Sequence, residues 1–410
     1  MHAVIISPRM PPIPNGPDFG VEKRFRLFLE GIHKVCSDIS FVYFVPEPLL
    51  TNRNEAEFSS QEVWGIPGSS MFIPSRRRRE TFLNHYMLGI VGAQYAQGFF
   101  PFAGKGANMA IRAAVSSKPD LIFVDQLHAM SSVLAVQPRV PVLFDLNDIV
   151  HRVHWRTVMS PPFRPGKIAY ALQTPALLAL ERRAVRLAMC TTVCAEADRQ
   201  FLSRLGAADR AVVVPNAVAL PAAPPPIPAE PTLLFLGNYA YEPNAAAAER
   251  LVRRIWPLVR RRRPDARLLL AGGAMERLPS AAAPPDGVSC LGFAADLAAL
   301  YARTRVVCCP LDIGGGTRLK LIEAAAHARP MVSTRIGAEG LEFRDGAEIL
   351  LRDDDAAFAA ACIDLLADDA LCMRLGTAAR AQMRRCYEAG AVRDSVAALV
   401  RNLLHDGRPQ

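Results

Sequence analysis

Two doubly wound, Rossmann-like α/β domains with parallel sheets, facing each other across a cleft, are the fold this sequence predicts. Three observations carry the prediction. Short, uniformly apolar runs alternate with amphipathic helical patterns through both halves of the chain. Its 410 residues are too many for one core of roughly 100 to 200 residues. Six prolines fall between Pro221 and Pro231, in a stretch that punctuates the middle of the sequence.

In chain order, His2–Ile6, Ile39–Val45, Leu121–Val124, Val142–Asp145 and Cys190–Cys194 read as strands of the first domain. Residues 219–231, ALPAAPPPIPAEP, read as a semi-rigid polyproline linker. Beyond it, strands are expected at Thr232–Gly237, Ala266–Gly272, Val288–Leu291, Val306–Cys309, Met331–Thr334 and Glu348–Leu351. The expected division is therefore a domain over 1–218, the linker, a second domain over 232–388 and a final helical segment over 389–410. In open α/β sheets ligands bind beyond the carboxyl ends of the strands, so the loops after these strands are where chemistry is sought.

Composition narrows the partners. The chain is 51% apolar and 21% charged, enough to fold, and its net charge of +9 suits an anionic partner. Nine cysteines without a C-x-x-C pair read as free thiols in a reducing compartment. The opening MHAVIISP lacks a basic region and reads as a strand rather than a signal peptide, and no later run reaches about 18 uninterrupted apolar residues. A cytoplasmic location is expected. Arg76–Arg79 precedes an aromatic-rich region, Phe82–Phe102; the pairing suits peripheral contact with anionic headgroups at the inner face of the membrane, while a solvated basic helix start is the plainer reading.

The most informative stretch is Pro310–Pro330, PLDIGGGTRLKLIEAAAHARP. A buried strand ends at Cys309, the glycines Gly314, Gly315 and Gly316 follow, and a helix is expected to open near Thr317. Glycines let backbone N–H groups approach an oxyanion, and a helix start adds about half a positive charge. Lysine occurs only at 23, 34, 105, 118, 167 and 320, so Lys320 stands alone in the C-terminal half. Arg318 and Lys320 are expected in the first turn, where a diphosphate would offset their conflict with the helix dipole. Glu323, one turn deeper on the face of Lys320, suits ribose hydroxyls. A flexible glycine turn with an exposed Lys320/Glu323 pair is the bland alternative.

With these residues in view, the chain resembles the GT-B glycosyltransferases, specifically the retaining glycosyltransferase family 4. The resemblance rests on Val214–Val218 (VPNAV), Leu234–Asn244 (LFLGNYAYEPN), Ala266–Gly273 (ARLLLAGG) and Gly314–Leu341, in that order and spacing. It implies a nucleotide-diphosphate sugar held by the C-terminal domain, an acceptor hydroxyl in the N-terminal domain, and a final helix that crosses back to the N-terminal domain. By analogy, Glu323 matches the second glutamate of the family's E-x7-E motif, with Arg318 and Lys320 at the diphosphate. Gly237, Asn238, Gly315, Gly316 and Thr317 line the donor, and the turn Leu291–Phe293 lies against the base. Two departures stand out: Gly315 occupies the place of the first glutamate, and Gly237 is followed by Asn238, Tyr239 and Ala240 where the family has a basic pair.

In the N-terminal half, Asn15–Gly20 resembles the family's glycine loop through Gly16 and Gly20, and is not a dinucleotide fingerprint. Asn147 stands where many relatives have a histidine; His128, after an earlier strand, is the alternative polar group for catalysis or a satisfied buried histidine. His151 and His154 lack a third ligand, and Asp353–Asp355 reads as an acidic helix cap, so no metal is expected. The reading is a metal-independent transferase with no cofactor, taking a nucleotide-sugar donor and a glycan or lipid-linked glycan acceptor, in bacterial surface polysaccharide synthesis; nucleic acid is not an expected partner. A nucleotide-sugar epimerase and a non-catalytic nucleotide-sugar-binding protein are the alternatives.

Overall fold

In a computed structural model of the protein, residues 1–8, 20–46, 63–75, 105–159, 165–207 and 209–406 are described. The chain divides into two compact units, Met1–Pro215 with Ala391–Gln410, and Asn216–Gly390. Each is built on one parallel sheet.

The first unit carries β1 (His2–Ser7), β2 (Asp38–Pro46), β3 (Ser69–Ser75), β4 (Leu121–Asp125), β5 (Val142–Asn147), β6 (Cys190–Val193) and β7 (Ala211–Val213), in the order β3-β2-β1-β4-β5-β6-β7. All neighbours are parallel. The five expected strands are present, and Ala3, Val4, Ile5 and Ile6 of the central β1 are wholly buried, which is why that run is apolar on both faces. The two additional strands lie at the edges. There the ladder needs bonding on one side only, so β3 can hold a proline and β7 can be three residues long.

The last helix, Ala389–Asp406, packs in this first unit through Val392, Val396, Val400 and Leu403, all buried. A Cβ added at Gly31 would lie 2.7 Å from Val396 Cγ1, so the missing side chain at 31 is what lets helix Gly20–His33 approach it. Arg393 Nη1 donates to Glu30 Oε2 at 2.8 Å, and Lys34 pairs with Asp394.

The second unit carries β8 (Thr232–Leu236), β9 (Arg267–Ala271), β10 (Val288–Gly292), β11 (Val306–Cys309), β12 (Met331–Ser333) and β13 (Leu350–Leu351), in the order β10-β9-β8-β11-β12-β13. Every one coincides with an expected strand to within two residues. The proline-rich segment lies along this unit rather than standing clear of it. Prolines leave their carbonyls without ladder partners, and three arginines supply donors: Arg305 to Pro228 O at 3.2 Å, Arg329 to Pro226 O at 2.8 Å, and Arg380 to Pro221 O.

The Asp353–Asp355 carboxylates are all engaged locally. Asp354 caps helix Asp355–Ala367 by accepting from the backbone N–H groups of Ala356 and Ala357, both at 2.9 Å. Asp355 takes Arg250 and Arg254, and Asp353 accepts from Arg335 N at 2.8 Å. Among the described residues no helix is long and apolar enough to cross a membrane. Gly16, Arg76–Arg79 and Phe82–Phe102, singled out above, lie outside the described residues.

Candidate active site

In the second sheet the strand order reverses between β8 and β11, so the loops that leave these two neighbours diverge and open a crevice at their carboxyl ends. The loop after β8 begins at Gly237 and the loop after β11 holds the three glycines. Both fall where an open α/β sheet binds its ligand.

The floor of the crevice is close backbone packing. Gly272, just after β9, has φ +136°, and a Cβ there would sit 1.7 Å from Gly237 O. No side chain fits. A Cβ at Gly237 would lie 3.2 Å from Lys320 Nζ, so the ammonium rests directly over this glycine.

Lys320 is tied to the β8 loop by a relay. Its Nζ donates to Asn244 Oδ1 at 2.9 Å, Asn244 Nδ2 donates to Asn238 O at 3.0 Å, and Asn238 Oδ1 accepts from Ala240 N at 3.0 Å. The ammonium also sits 4.3 Å from the centroid of the Phe235 ring. No carboxylate bonds to it, and burial pulls its pKa down from 10.5 to about 8, outweighing the lift from Cys309 and Glu323. Below that pH the protein holds a poorly compensated cation at the mouth of a glycine turn.

Arg318 departs from expectation. The helix runs Leu319–Ala326, so Arg318 is its N-cap residue, and the side chain folds back so that Nη1 donates to Gly315 O and Gly316 O. Carbonyls that glycines leave uncovered attract the nearest donor, which is this guanidinium. The residue is 8% exposed, and its Nε and Nη2 are buried with no hydrogen-bond partner. Gly314 at φ +144° makes room, since a Cβ there would stand 2.7 Å from Nη2. Unpaired buried donors are costly, and an anion that reached them would recover that cost.

Glu323 is buried and accepts from Tyr301 Oη at 3.3 Å; the same hydroxyl lies 3.3 Å from Lys320 O. Thr317 Oγ1 accepts from Asn216 Nδ2 at 2.7 Å, which fixes the turn just before the helix. Gly315, Gly316 and Thr317 are half-buried, while Phe293, following β10, is 54% exposed and presents a bare aromatic face. Asn244, Tyr301 and Asn216 hold these groups in place and were not among the expected site residues. Asn216 and Asn244 sat inside recognised motifs, whereas Tyr301 carries no local signal.

The first unit places its candidates differently. His128 lies half-buried in helix Gln126–Val136, directly after β4 at that sheet's reversal between β1 and β4. Ser7 at the end of β1 donates to Asp125 Oδ2 at 2.8 Å, closing the two strand ends together. Gly20 is the first residue of helix Gly20–His33 rather than part of a loop. Asn147 has φ +59° and accepts from the Cys194 thiol through both its carbonyl and Oδ1, at 3.3 and 3.2 Å. His151 is paired with the fully buried Glu181, so its ring is engaged as an ion-pair partner. Arg24, not singled out from the sequence, forms a fork onto Asp145, with Nε to Oδ2 at 2.8 Å and Nη2 to Oδ1 at 2.6 Å, and sends Nη1 to Val214 O at 2.8 Å. Both side chains of that pair are 2% exposed.

Comparison with known proteins follows this division. Residues 230–368 match the family described as glycosyl transferases group 1, and residues 75–217 match the glycosyl transferase 4-like domain. An uncharacterized 44.6 kDa protein in the cps region of Klebsiella pneumoniae is 29% identical over 135 residues, covering 31% of this chain and 35% of that protein. The match therefore spans about a third of that relative's length. Among solved structures, sucrose-phosphate synthase from Thermosynechococcus elongatus superposes with a TM-score of 0.71 at 17% identity, covering 99% of this chain and 100% of that one. HepE from Anabaena, in complex with UDP and glucose, gives 0.64 at 13% identity over 97% and 99%. A glycosyltransferase from Rickettsia africae gives 0.62 at 11% over 98% of both chains. At such identities these structures speak for the fold. With a family match on each unit and the GT-B architecture over nearly the whole length, the chain belongs to the GT-B glycosyltransferases of the family 4 type.

Proposed function

We propose that the protein transfers a sugar from a nucleotide-diphosphate sugar to a hydroxyl of a glycan or lipid-linked glycan, in the synthesis of a bacterial surface polysaccharide. One observation carries the reading: the glycine turn after β11 gathers the unpartnered nitrogens of Arg318 and the ammonium of Lys320 at the sheet's reversal point. Anabaena HepE bound to UDP-glucose and the cps-region relative from Klebsiella support the donor class and the pathway class.

In this reading Arg318, Lys320 and the amides of the turn stabilise the diphosphate as charge develops on it, the role a divalent ion plays elsewhere, so transfer is metal-independent. Glu323 accepts from the ribose hydroxyls, and Leu291 and Phe293 cover the base. Gly237 and Asn238 let the donor approach the sheet, and His128 is the polar group offered to the acceptor in the first unit. Transfer proceeds with retention: the acceptor oxygen bonds to the anomeric carbon on the face from which the phosphate oxygen departs, and that oxygen takes the hydroxyl proton.

The test is incubation with UDP-, GDP- and ADP-sugars, with and without lipid-linked glycan acceptors. Lys320→Ala and Glu323→Ala should each lose most transfer with thermal unfolding unchanged; activity within about threefold of wild type in both would remove this helix from the donor site. Transfer should survive excess chelator, and NMR of the product should show the donor's anomeric configuration. Activity that disappears with chelator and returns with Mg²⁺ or Mn²⁺, or an inverted product, would refute those two parts separately.

A further inference from the structure

The outer face of one helix pair in the first unit breaks the usual rule for surface helices. Helix Gly166–Leu187 buries Ala176, Leu177, Leu180 and Ala184 on its inner side. Its opposite face should then be polar. Instead Ile168 is 53% exposed and Leu172 37% exposed, and the same stripe ends in the exposed Arg182 and Arg186. At 100° per residue these four positions fall within about 40° of one line, so the face is apolar for its first half and basic for its second. Helix Val150–Met159 packs beside it, with the Tyr170 ring edge-on to His154 at 5.0 Å. It adds Trp155, 52% exposed, and Met159, 68% exposed. All four apolar side chains lie within about 8 Å, measured along the helix axes, of the His154–Tyr170 contact.

Charge selects the occupant. The two helices carry six arginines and lysines against one carboxylate, Glu181, which is 0% exposed and already paired with His151. A second copy would bring the same positive charge to the interface, whereas an anionic surface complements it. An exposed tryptophan and methionine beside an aliphatic stripe, with arginines continuing one face, match the chemistry of the headgroup–acyl boundary.

We propose that the helix pair Val150–Met159 and Gly166–Leu187 is a docking surface for an anionic lipid bilayer, with Trp155, Met159, Ile168 and Leu172 entering the boundary and Arg182 and Arg186 meeting headgroup phosphates. The surface is distinct from the donor site of the second unit and stands whether or not that donor reading does.

The full chain is to be sedimented with phosphatidylcholine vesicles and with vesicles containing phosphatidylglycerol, while tryptophan emission is followed. Of three tryptophans, Trp64 and Trp256 are buried, so emission reports on Trp155. Binding to the anionic vesicles alone, with emission shifting to the blue, is expected. Ile168→Ser/Leu172→Ser and Arg182→Glu/Arg186→Glu should each weaken it by about tenfold or more. The arginine pair, on the surface, decides the matter if the serine pair fails to fold. No binding to anionic vesicles would overturn the proposal, as would binding that leaves emission unmoved or that folded variants leave intact. Self-association without lipid, abolished by the serine pair and unaccompanied by vesicle binding, would assign the face to a second copy instead.

Discussion

Replacing Lys320 with methionine keeps the side chain's length and removes its charge, which separates a binding role from a structural one. A unit charge about 4 Å from one charge of a diphosphate is worth about 4 kcal/mol at an effective dielectric of roughly 20, or nearly three decades in a binding constant. Stability moves the other way. The fold holds the ammonium at about 8 instead of 10.5 because burial penalises its charge. That difference is worth roughly 3 kcal/mol, a penalty fully present below pH 8 and relieved as pH rises toward 10.5. Methionine escapes the penalty but forgoes the bond to Asn244 and the contact over Phe235, together about 2 kcal/mol. At pH 7 the variant should unfold within about 1 kcal/mol of wild type and yet bind a nucleoside diphosphate about 100- to 1000-fold more weakly. Calorimetric titration and thermal unfolding on the same samples provide the assay. Binding unchanged in a folded variant would refute the electrostatic role; a collapse of the fold would show that the lysine is structural.

The same lysine predicts a pH dependence. Diphosphate affinity should be flat below about pH 8 and fall by up to about tenfold per unit above it, as the free protein's Lys320 loses its proton, and titrations across that range should find the slope absent in Lys320→Met. Gly272→Ala places a Cβ 1.7 Å from Gly237 O at a φ that alanine resists, so it should cost at least about 3 kcal/mol and abolish diphosphate binding, measured by denaturant unfolding and calorimetry. Arg24→Gln leaves Asp145 charged and buried, and should lower the stability of the first unit by about 3 to 5 kcal/mol, read from its denaturation midpoint, with diphosphate binding by the second unit unchanged.

What was legible in the sequence follows from range. Runs such as Leu268–Ala271 and Val306–Cys309 are buried from both sides, so their apolarity alone announces a strand. Ser69–Ser75 and Ala211–Val213 have a neighbour on one side only, and edge position relaxes the composition that would have marked them. The glycine turn and its cations were visible because they are contiguous. How Arg318 points was not: the helix starts one residue after it, and the open carbonyls of Gly315 and Gly316 capture the guanidinium. Partners that settle the remaining geometry come from far along the chain. Asn244 reaches Lys320 across 76 residues, Asn216 reaches Thr317 across 101, and Arg24 reaches Asp145 across 121. Such pairs are made by the topology, and no local pattern encodes them.

The central claim, that the helix start after β11 holds a nucleotide diphosphate, is tested most directly by titrating wild type and Lys320→Met with UDP, GDP and ADP in the calorimeter at pH 7. At least one of the three should bind wild type saturably, with the methionine variant weaker by about 100-fold or more while folded. If none of the three binds, or if one binds both proteins alike, the donor site does not lie on this helix.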